Sequence, residues 1–227
     1  MSQIRFTVGL ASAALLVTVA AAGAEPISVP ASPYAGGAEH FVVSAHSPAR
    51  ECMITYSDIS NASGYGFAPP SLDATVMDDL HMTSGGWLCS FDVGYNNGTS
   101  APVDVTVTFY ETDEEDAPPT AVVGGPFLLE DMPTGVNIVH VDVEPGVAEL
   151  PAHVWMAVSF SLSNVTLLIY DPPTVGTSHD WFYLIPPGGY YWFGGSPTAN
   201  FCMQVECDVS SGVDSSATWG TIKALYR

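Results

Sequence analysis

Residues 103–110 read Val-Asp-Val-Thr-Val-Thr-Phe-Tyr, apolar and polar in strict turn, and this period of two is the strongest constraint in the chain. Only an extended strand with one dry face and one wet face satisfies it, because successive side chains of a strand point to opposite sides. The same alternation recurs in short runs bounded by Gly, Pro, Asn and Asp clusters. It predicts strands over 40–45, 52–57, 75–82, 87–95, 103–110, 136–143, 153–161, 165–170, 180–184 and 201–207. Asn96-Asn97-Gly98 and Pro186-Pro187-Gly188-Gly189 are turn signals. Helical periodicity is absent before the last ten residues. Many short strands at near-regular spacing predict an all-β fold, an antiparallel, jelly-roll-like β-sandwich of one domain spanning residues 39–207.

Charge narrows the function. The 227 residues carry 4 Lys+Arg against 24 Asp+Glu, a formal net charge of −20, and neither Lys nor Arg occurs between Glu51 and Ile222. Such a field repels phosphate backbones, which excludes nucleic acid as a partner, and the gap removes arginine clamps and Schiff-base lysines from the domain. With 47% hydrophobic residues the chain has enough apolar material to fold rather than remain an acidic random coil.

The first 24 residues read as a secretory signal. Arg5 precedes an uncharged Ala/Leu/Val-rich run, and Ala22-Gly23-Ala24 offers small residues for cleavage before Glu25. The expectation is a secreted protein, extracellular or at the cell surface, with no transmembrane segment in its mature form. Residues 25–38 read as an irregular lead-in, 208–217 as a Ser/Asp-rich linker and 218–227 as a short basic and aromatic tail, in which Trp219, Ile222 and Tyr226 would share one side of a helix. Export favours disulfides among Cys52, Cys89, Cys202 and Cys207, since no C-x2-C spacing suggests zinc. Cys202 and Cys207 are an odd number apart, so on one strand they face opposite ways and bond to different partners. The preferred pairing is Cys89 with Cys202 and Cys52 with Cys207, leaving no free thiol.

Ala74-Thr75-Val76-Met77-Asp78-Asp79-Leu80, then Trp87-Leu88-Cys89-Ser90-Phe91-Asp92, then Val105 to Tyr110, Pro118-Pro119, the 153–161 strand, Asp180-Trp181 and Phe201 to Val205 follow one another in a characteristic order. That order resembles secreted bacterial β-sandwich modules with an A-D-D-F-like strand start, of the kind found in proteins with C-terminal sorting segments. The resemblance covers about residues 70–207 and implies a fold and a surface location, with no catalytic residues to carry over. Cys89 and Cys202 stand where such modules place ordinary strand residues.

Several constellations bear on chemistry. Glu111-Thr112-Asp113-Glu114-Glu115 is similar to the E-x-D-x-E catalytic strand of jelly-roll laminarinases and agarases, which implies Glu111 as nucleophile and Glu115 as acid/base beside Asp113. Polar residues stand between the acids and Pro118-Pro119 follows closely, so a solvated hairpin loop is the simpler reading. Asp113, Glu115 and Asp116, and separately Asp78, are candidate ligands for calcium, the one cofactor the composition suggests. Asp78 and Asp79 are strand neighbours, so only one faces the interior, where amides, a hydroxyl or an ion must satisfy it. Trp181, Tyr183, Tyr190, Tyr191 and Trp192, around the Pro-Pro-Gly-Gly turn, are candidates for stacking on sugar rings. The six histidines show no metal-binding spacing, and His179 reads as a loop residue. The leading expectation is a non-catalytic module for extracellular interaction or assembly, with a protein or polysaccharide partner. A carbohydrate-binding module is the alternative, and a glycoside hydrolase using Glu111 and Glu115 comes third.

Overall fold

The computed structural model describes residues 26–43, 51–112 and 117–208. The signal-peptide, linker-tail and acidic-loop expectations on 1–24, 209–227 and 113–116 lie outside the described residues. Sixteen strands are present: β1 (Ile27–Ser28), β2 (Ser32–Pro33), β3 (Glu39–Val43), β4 (Cys52–Ser57), β5 (Ala62–Phe67), β6 (Thr75–His81), β7 (Gly86–Asn97) and β8 (Val103–Glu111). They continue with β9 (Val122–Met132), β10 (Gly135–Asp142), β11 (Glu149–Leu150), β12 (His153–Phe160), β13 (Val165–Tyr170), β14 (Phe182–Ile185), β15 (Tyr190–Trp192) and β16 (Met203–Asp208). Among the described residues every regular element is a strand, and no helix is long and apolar enough to cross a membrane.

The expected sandwich is present. One sheet has seven strands in the order β1-β15-β14-β6-β12-β8-β9; the other has nine, built along β2-β5-β13-β7-β10-β3 with β4, β11 and β16 attached. Pairing is antiparallel except at β1 with β15 and β3 with β10, so both sheets are mixed rather than purely antiparallel. The two parallel strands belong to the N-terminal segment, which joins an edge of each sheet. β9 escaped the sequence reading because Val122-Val123-Gly124-Gly125-Pro126 breaks the alternation; as an edge strand it tolerates a residue that cannot donate.

Alternation fixes which side of each strand is dry. Val103, Val105, Val107 and Phe109 of β8 are buried, and Asp104, Thr106 and Thr108 are half-exposed. Across the sandwich they meet Phe91, Val93 and Tyr95 of β7 and Val139 of β10 in one core, with the Phe91 and Phe109 rings edge to face at 5.7 Å. β7 is the spine of the nine-stranded sheet. Its twelve residues pair with β10 and β11 on one side and with β16 and β13 on the other.

The cysteine pairing differs from the expected one. Cys52 bonds Cys89, while Cys202 and Cys207 are buried free thiols. Cys202 and Cys207 do face opposite ways, Cys207 into the main core and Cys202 into a small cluster with Ile138, Leu168 and Tyr170. What alternation could not show is a β-bulge. Glu206 pairs with Ser90 and Cys207 with Leu88, so Cys89 is the extra residue of β7, turned out of the regular pleat. From there it reaches Cys52 on β4 past the end of β16. Cys202 seats against Gly94, where an added Cβ would lie 2.4 Å from its sulfur. Burial pushes the Cys207 thiol up to about 11 and Cys202 higher than usual, so both resist thiolate chemistry.

The outer face of the nine-stranded sheet carries a polar relay. The Gln204 amide donates to Asp92 Oδ2 at 3.1 Å, Ser57 Oγ donates to Gln204 Oε1 at 2.9 Å, and His140 Nδ1 lies 3.2 Å from Asp92. Burial would lower the His140 imidazole, but Asp92 and Asp142 outweigh it and hold it above its usual value. Burial likewise raises the Asp92 carboxyl, against the pull of His140.

Two outcomes follow from these contacts. The disulfide closes a chain separation of 37 residues, so a Cys52→Ser/Cys89→Ser variant should lose about 4 kcal/mol in urea unfolding, and the native wild type should show no reactive thiol but two once denatured. A raised folded-state His140 binds its proton more tightly than the unfolded chain does. Its stabilisation is therefore complete below the unfolded value of about 6.5 and is lost as pH rises through the folded one. The urea midpoint should fall from pH 6 to pH 8, and His140→Gln should flatten that fall.

Candidate metal centre and aromatic face

Strand β6 reads Thr-Val-Met-Asp-Asp-Leu-His, and the pleat separates its two aspartates. Val76, Asp78 and Leu80 face the core; Met77, Asp79 and His81 face outward. The inward Asp78 is fully buried. The Phe201 N–H donates to its Oδ2 at 2.9 Å and Ser178 Oγ lies 3.0 Å from its Oδ1, so an amide and a hydroxyl serve it, two of the three kinds of partner expected. Burial, reinforced by the charge of Asp79, holds the Asp78 carboxyl well above the usual carboxylate range. For Asp79 burial also acts upward, but the hydrogen bonds and charges of His179 and His81 outweigh it and hold it below that range.

Ser178 stands between the two acids, 3.1 Å from Asp79 Oδ1. One hydroxyl has one hydrogen to give, so Ser178 can donate to only one of the two acids at a time. The segment carrying Ser178 is pinned to the edge of β6 by reciprocal backbone bonds between His81 and Thr177 at 2.9 and 3.0 Å.

Around Asp79 three histidines gather. His81 Nε2 lies 3.2 Å from Asp79 Oδ2, and His179 Nδ1 closes on the same oxygen. The ligand atoms of Asp79, His81 and His179 all fall within 4.8 Å of one another. His153 stacks on His81 at 4.6 Å, and His179 stacks on Trp181 at 4.5 Å with planes 7° apart. Two imidazoles and one carboxylate are a borderline-soft donor set suited to zinc, and three protein ligands leave a tetrahedral ion one position for a further group. In the metal-free protein the same atoms make a carboxylate held between two rings.

Beside this cluster the outer face of the seven-stranded sheet is aromatic. Trp155 pairs in register with both Asp79 and Tyr110, and Trp155 packs with Met77, Ala157, Tyr110, Trp181, Tyr183 and Tyr190 in a cluster separate from the core. Tyr183 and Tyr190 meet edge to face at 5.1 Å, and Trp155 lies 5.9 Å from Tyr183. Trp155 Nε1 donates to the carbonyl of Ala117 at 3.0 Å, which seats the chain just after the acidic loop against this face.

The structure divides the expected aromatic set. Trp181, Tyr183 and Tyr190 share the outer face, half-buried. Tyr191 does not belong with them: it points inward, is 8% exposed and stacks on Phe182, because neighbours on β15 alternate. Trp192, 37% exposed, lies at the sheet margin beside β1. Of the carboxylates, Asp78 is spoken for by Phe201 and Ser178, and Asp113, Glu115 and Asp116 lie outside the described residues. Glu111 ends β8 opposite Val154. Sequence reasoning passed over Asp79, His81, His153, Trp155 and His179 as a group. The available signal was D-x-H in one strand and H-x-W in another, each placing both residues on one face; His179 is brought in by the fold.

No family model, curated protein or solved structure matches this chain, so its chemistry rests on this geometry. The metal reading has a direct check. Zinc at about 100 times its Kd should stabilise by roughly 2.7 kcal/mol, a rise in Tm of about 5–10 °C for a domain of this size. His179→Ala and His81→Ala should each abolish the rise and the bound zinc measured by mass spectrometry.

Proposed function

We propose that this protein is a non-catalytic, secreted β-sandwich module that binds extracellular polysaccharide through the outer face of its seven-stranded sheet. One observation carries the reading: Trp181, Tyr183 and Tyr190 gather half-buried on a single sheet face, over the buried Trp155 and next to the Asp79–His81–His179 cluster. These three half-buried rings, backed by the buried Trp155, present rigid apolar surface at little entropic cost, which suits a sugar ring and requires no charge on the ligand. The absence of Lys and Arg from this region fits a neutral glycan better than an acidic one. A zinc-class ion at Asp79, His81 and His179 would fix the rim of that face and lock the Trp181 ring through its stack on His179. The signal-like N-terminus and the resemblance to secreted surface modules support an extracellular setting.

A second reading rests on the position that three protein ligands leave open. A zinc-bound water there would make the centre hydrolytic. The two readings part in one experiment. The exported protein, loaded with zinc, is applied to a glycan array and to affinity electrophoresis in soluble polysaccharides, with reducing ends assayed in parallel. Binding without release of reducing ends is expected. Trp181→Ala and Tyr190→Ala should each weaken binding about five- to tenfold, corresponding to roughly 1–1.4 kcal/mol per lost ring contact. Zinc-dependent release of reducing ends would favour the hydrolytic reading, and retention unchanged in both variants would overturn the aromatic face as the binding surface.

A further inference from the structure

A second group of acids lies at one end of the nine-stranded sheet, apart from the histidine cluster. Asp58 follows β4 directly, and its N–H donates to the Met203 carbonyl at 2.8 Å, which holds it beside the start of β16. Asp171 follows β13 directly, with its N–H donating to the Asn61 carbonyl at 2.9 Å. Asn200 leads into β16, and its carbonyl accepts from the Tyr170 N–H at 3.0 Å. Three loops thus converge where β4, β13 and β16 meet.

The side chains there hold too many acceptors. Asp58 is 0% exposed, and neither of its carboxylate oxygens has a hydrogen-bond partner. Asp171 Oδ1 and Asn200 Oδ1 are buried and unpartnered as well. The Asn200 amide nitrogen donates to Thr198 Oγ1 at 2.8 Å, which leaves its oxygen as the free end. Four buried oxygens on these converging loops lack partners, three of them from carboxyl groups. The backbone bonds bring both acids to the same end of the sheet, and the charge of Asp171 is felt at Asp58. No lysine or arginine between Glu51 and Ile222 could neutralise them.

We propose that Asp58, Asp171 and Asn200 form a calcium site that ties together the ends of β4, β13 and β16. The ligand class follows from the atoms. All four are hard oxygens, two from one carboxylate that can act bidentately, and calcium accepts six to eight such ligands in flexible geometry, the remainder coming from loop carbonyls and water. Zinc is disfavoured by the lack of nitrogen or sulfur donors, and magnesium by its demand for strict octahedral geometry. Burial, with the charge of Asp171 adding to it, pushes the Asp58 carboxyl up to about 8, so an ion bound there displaces a proton and binds more tightly as pH rises. The site shares no ligand with the zinc centre, and the proposal does not rest on the polysaccharide reading.

The test uses the full exported chain, stripped with chelator and titrated with calcium chloride alone, followed by calorimetry and thermal melting. One calcium per chain and a rise in Tm of several degrees are expected. Asp58→Asn and Asp171→Asn should abolish both; each removes a buried negative charge without changing shape, so the metal-free variants should melt no lower than the metal-free wild type. Should either fail to fold, Asn200→Ala, which removes a neutral oxygen, should weaken calcium at least tenfold. His81→Ala/His179→Ala and a variant neutralised at Asp113, Glu115 and Asp116 should keep the response. The proposal is overturned if calcium leaves the wild type unchanged, if magnesium raises Tm equally, or if the response survives at Asp58 and Asp171 but vanishes with the acidic loop.

Discussion

The nine-stranded sheet is registered on β7. A strand of twelve residues is long enough to be shared end to end, and four other strands divide its two edges between them. Its inward residues Phe91, Val93 and Tyr95 form the floor of the core, so a slip of one residue would turn them all outward and expose the whole cluster. Two local features resist such a slip. The bulge at Cys89 sets where β16 must pair, and the bond to Cys52 ties that point to β4 on the far side of β16. Gly94, with no side chain, lets Cys202 close against the strand.

The period of two made most of this architecture legible. β6, β8, β10, β12 and β13 fall close to where apolar and polar residues alternate, since each has one face in the core and one outside. β5 and β9 were not legible, because Gly-Tyr-Gly and Gly-Gly-Pro interrupt their pattern at or near sheet margins, where packing tolerates poor strand formers. The disulfide was misread for a related reason. Cys202 and Cys207 do face opposite ways, but the extra residue at Cys89 turns it toward Cys52 rather than Cys202, and nothing in Trp87-Leu88-Cys89-Ser90 announces that bulge.

The candidate site was half legible. That only one of Asp78 and Asp79 could face inward followed from strand geometry, and so did the need for an amide or hydroxyl, roles taken by Phe201 and Ser178. That His179 would stand beside Asp79 depends on contact across 100 residues of sequence, which no local pattern encodes. The aromatic run around the Pro-Pro-Gly-Gly turn was visible, but β15 divides it between two faces, and the central ring of the outer cluster, Trp155, comes from a distant strand.

A domain with no lysine or arginine from residue 51 to 222 has given up the usual means of balancing a buried acid. Asp78 is served by an amide and a hydroxyl, Asp79 by imidazoles, and the Asp58 carboxylate by no hydrogen-bond partner among the described residues. The counter-charges are thus left to the medium. With calcium as the missing partner, the chain would hold together least well inside a cell, where that ion is kept scarce, and best outside it.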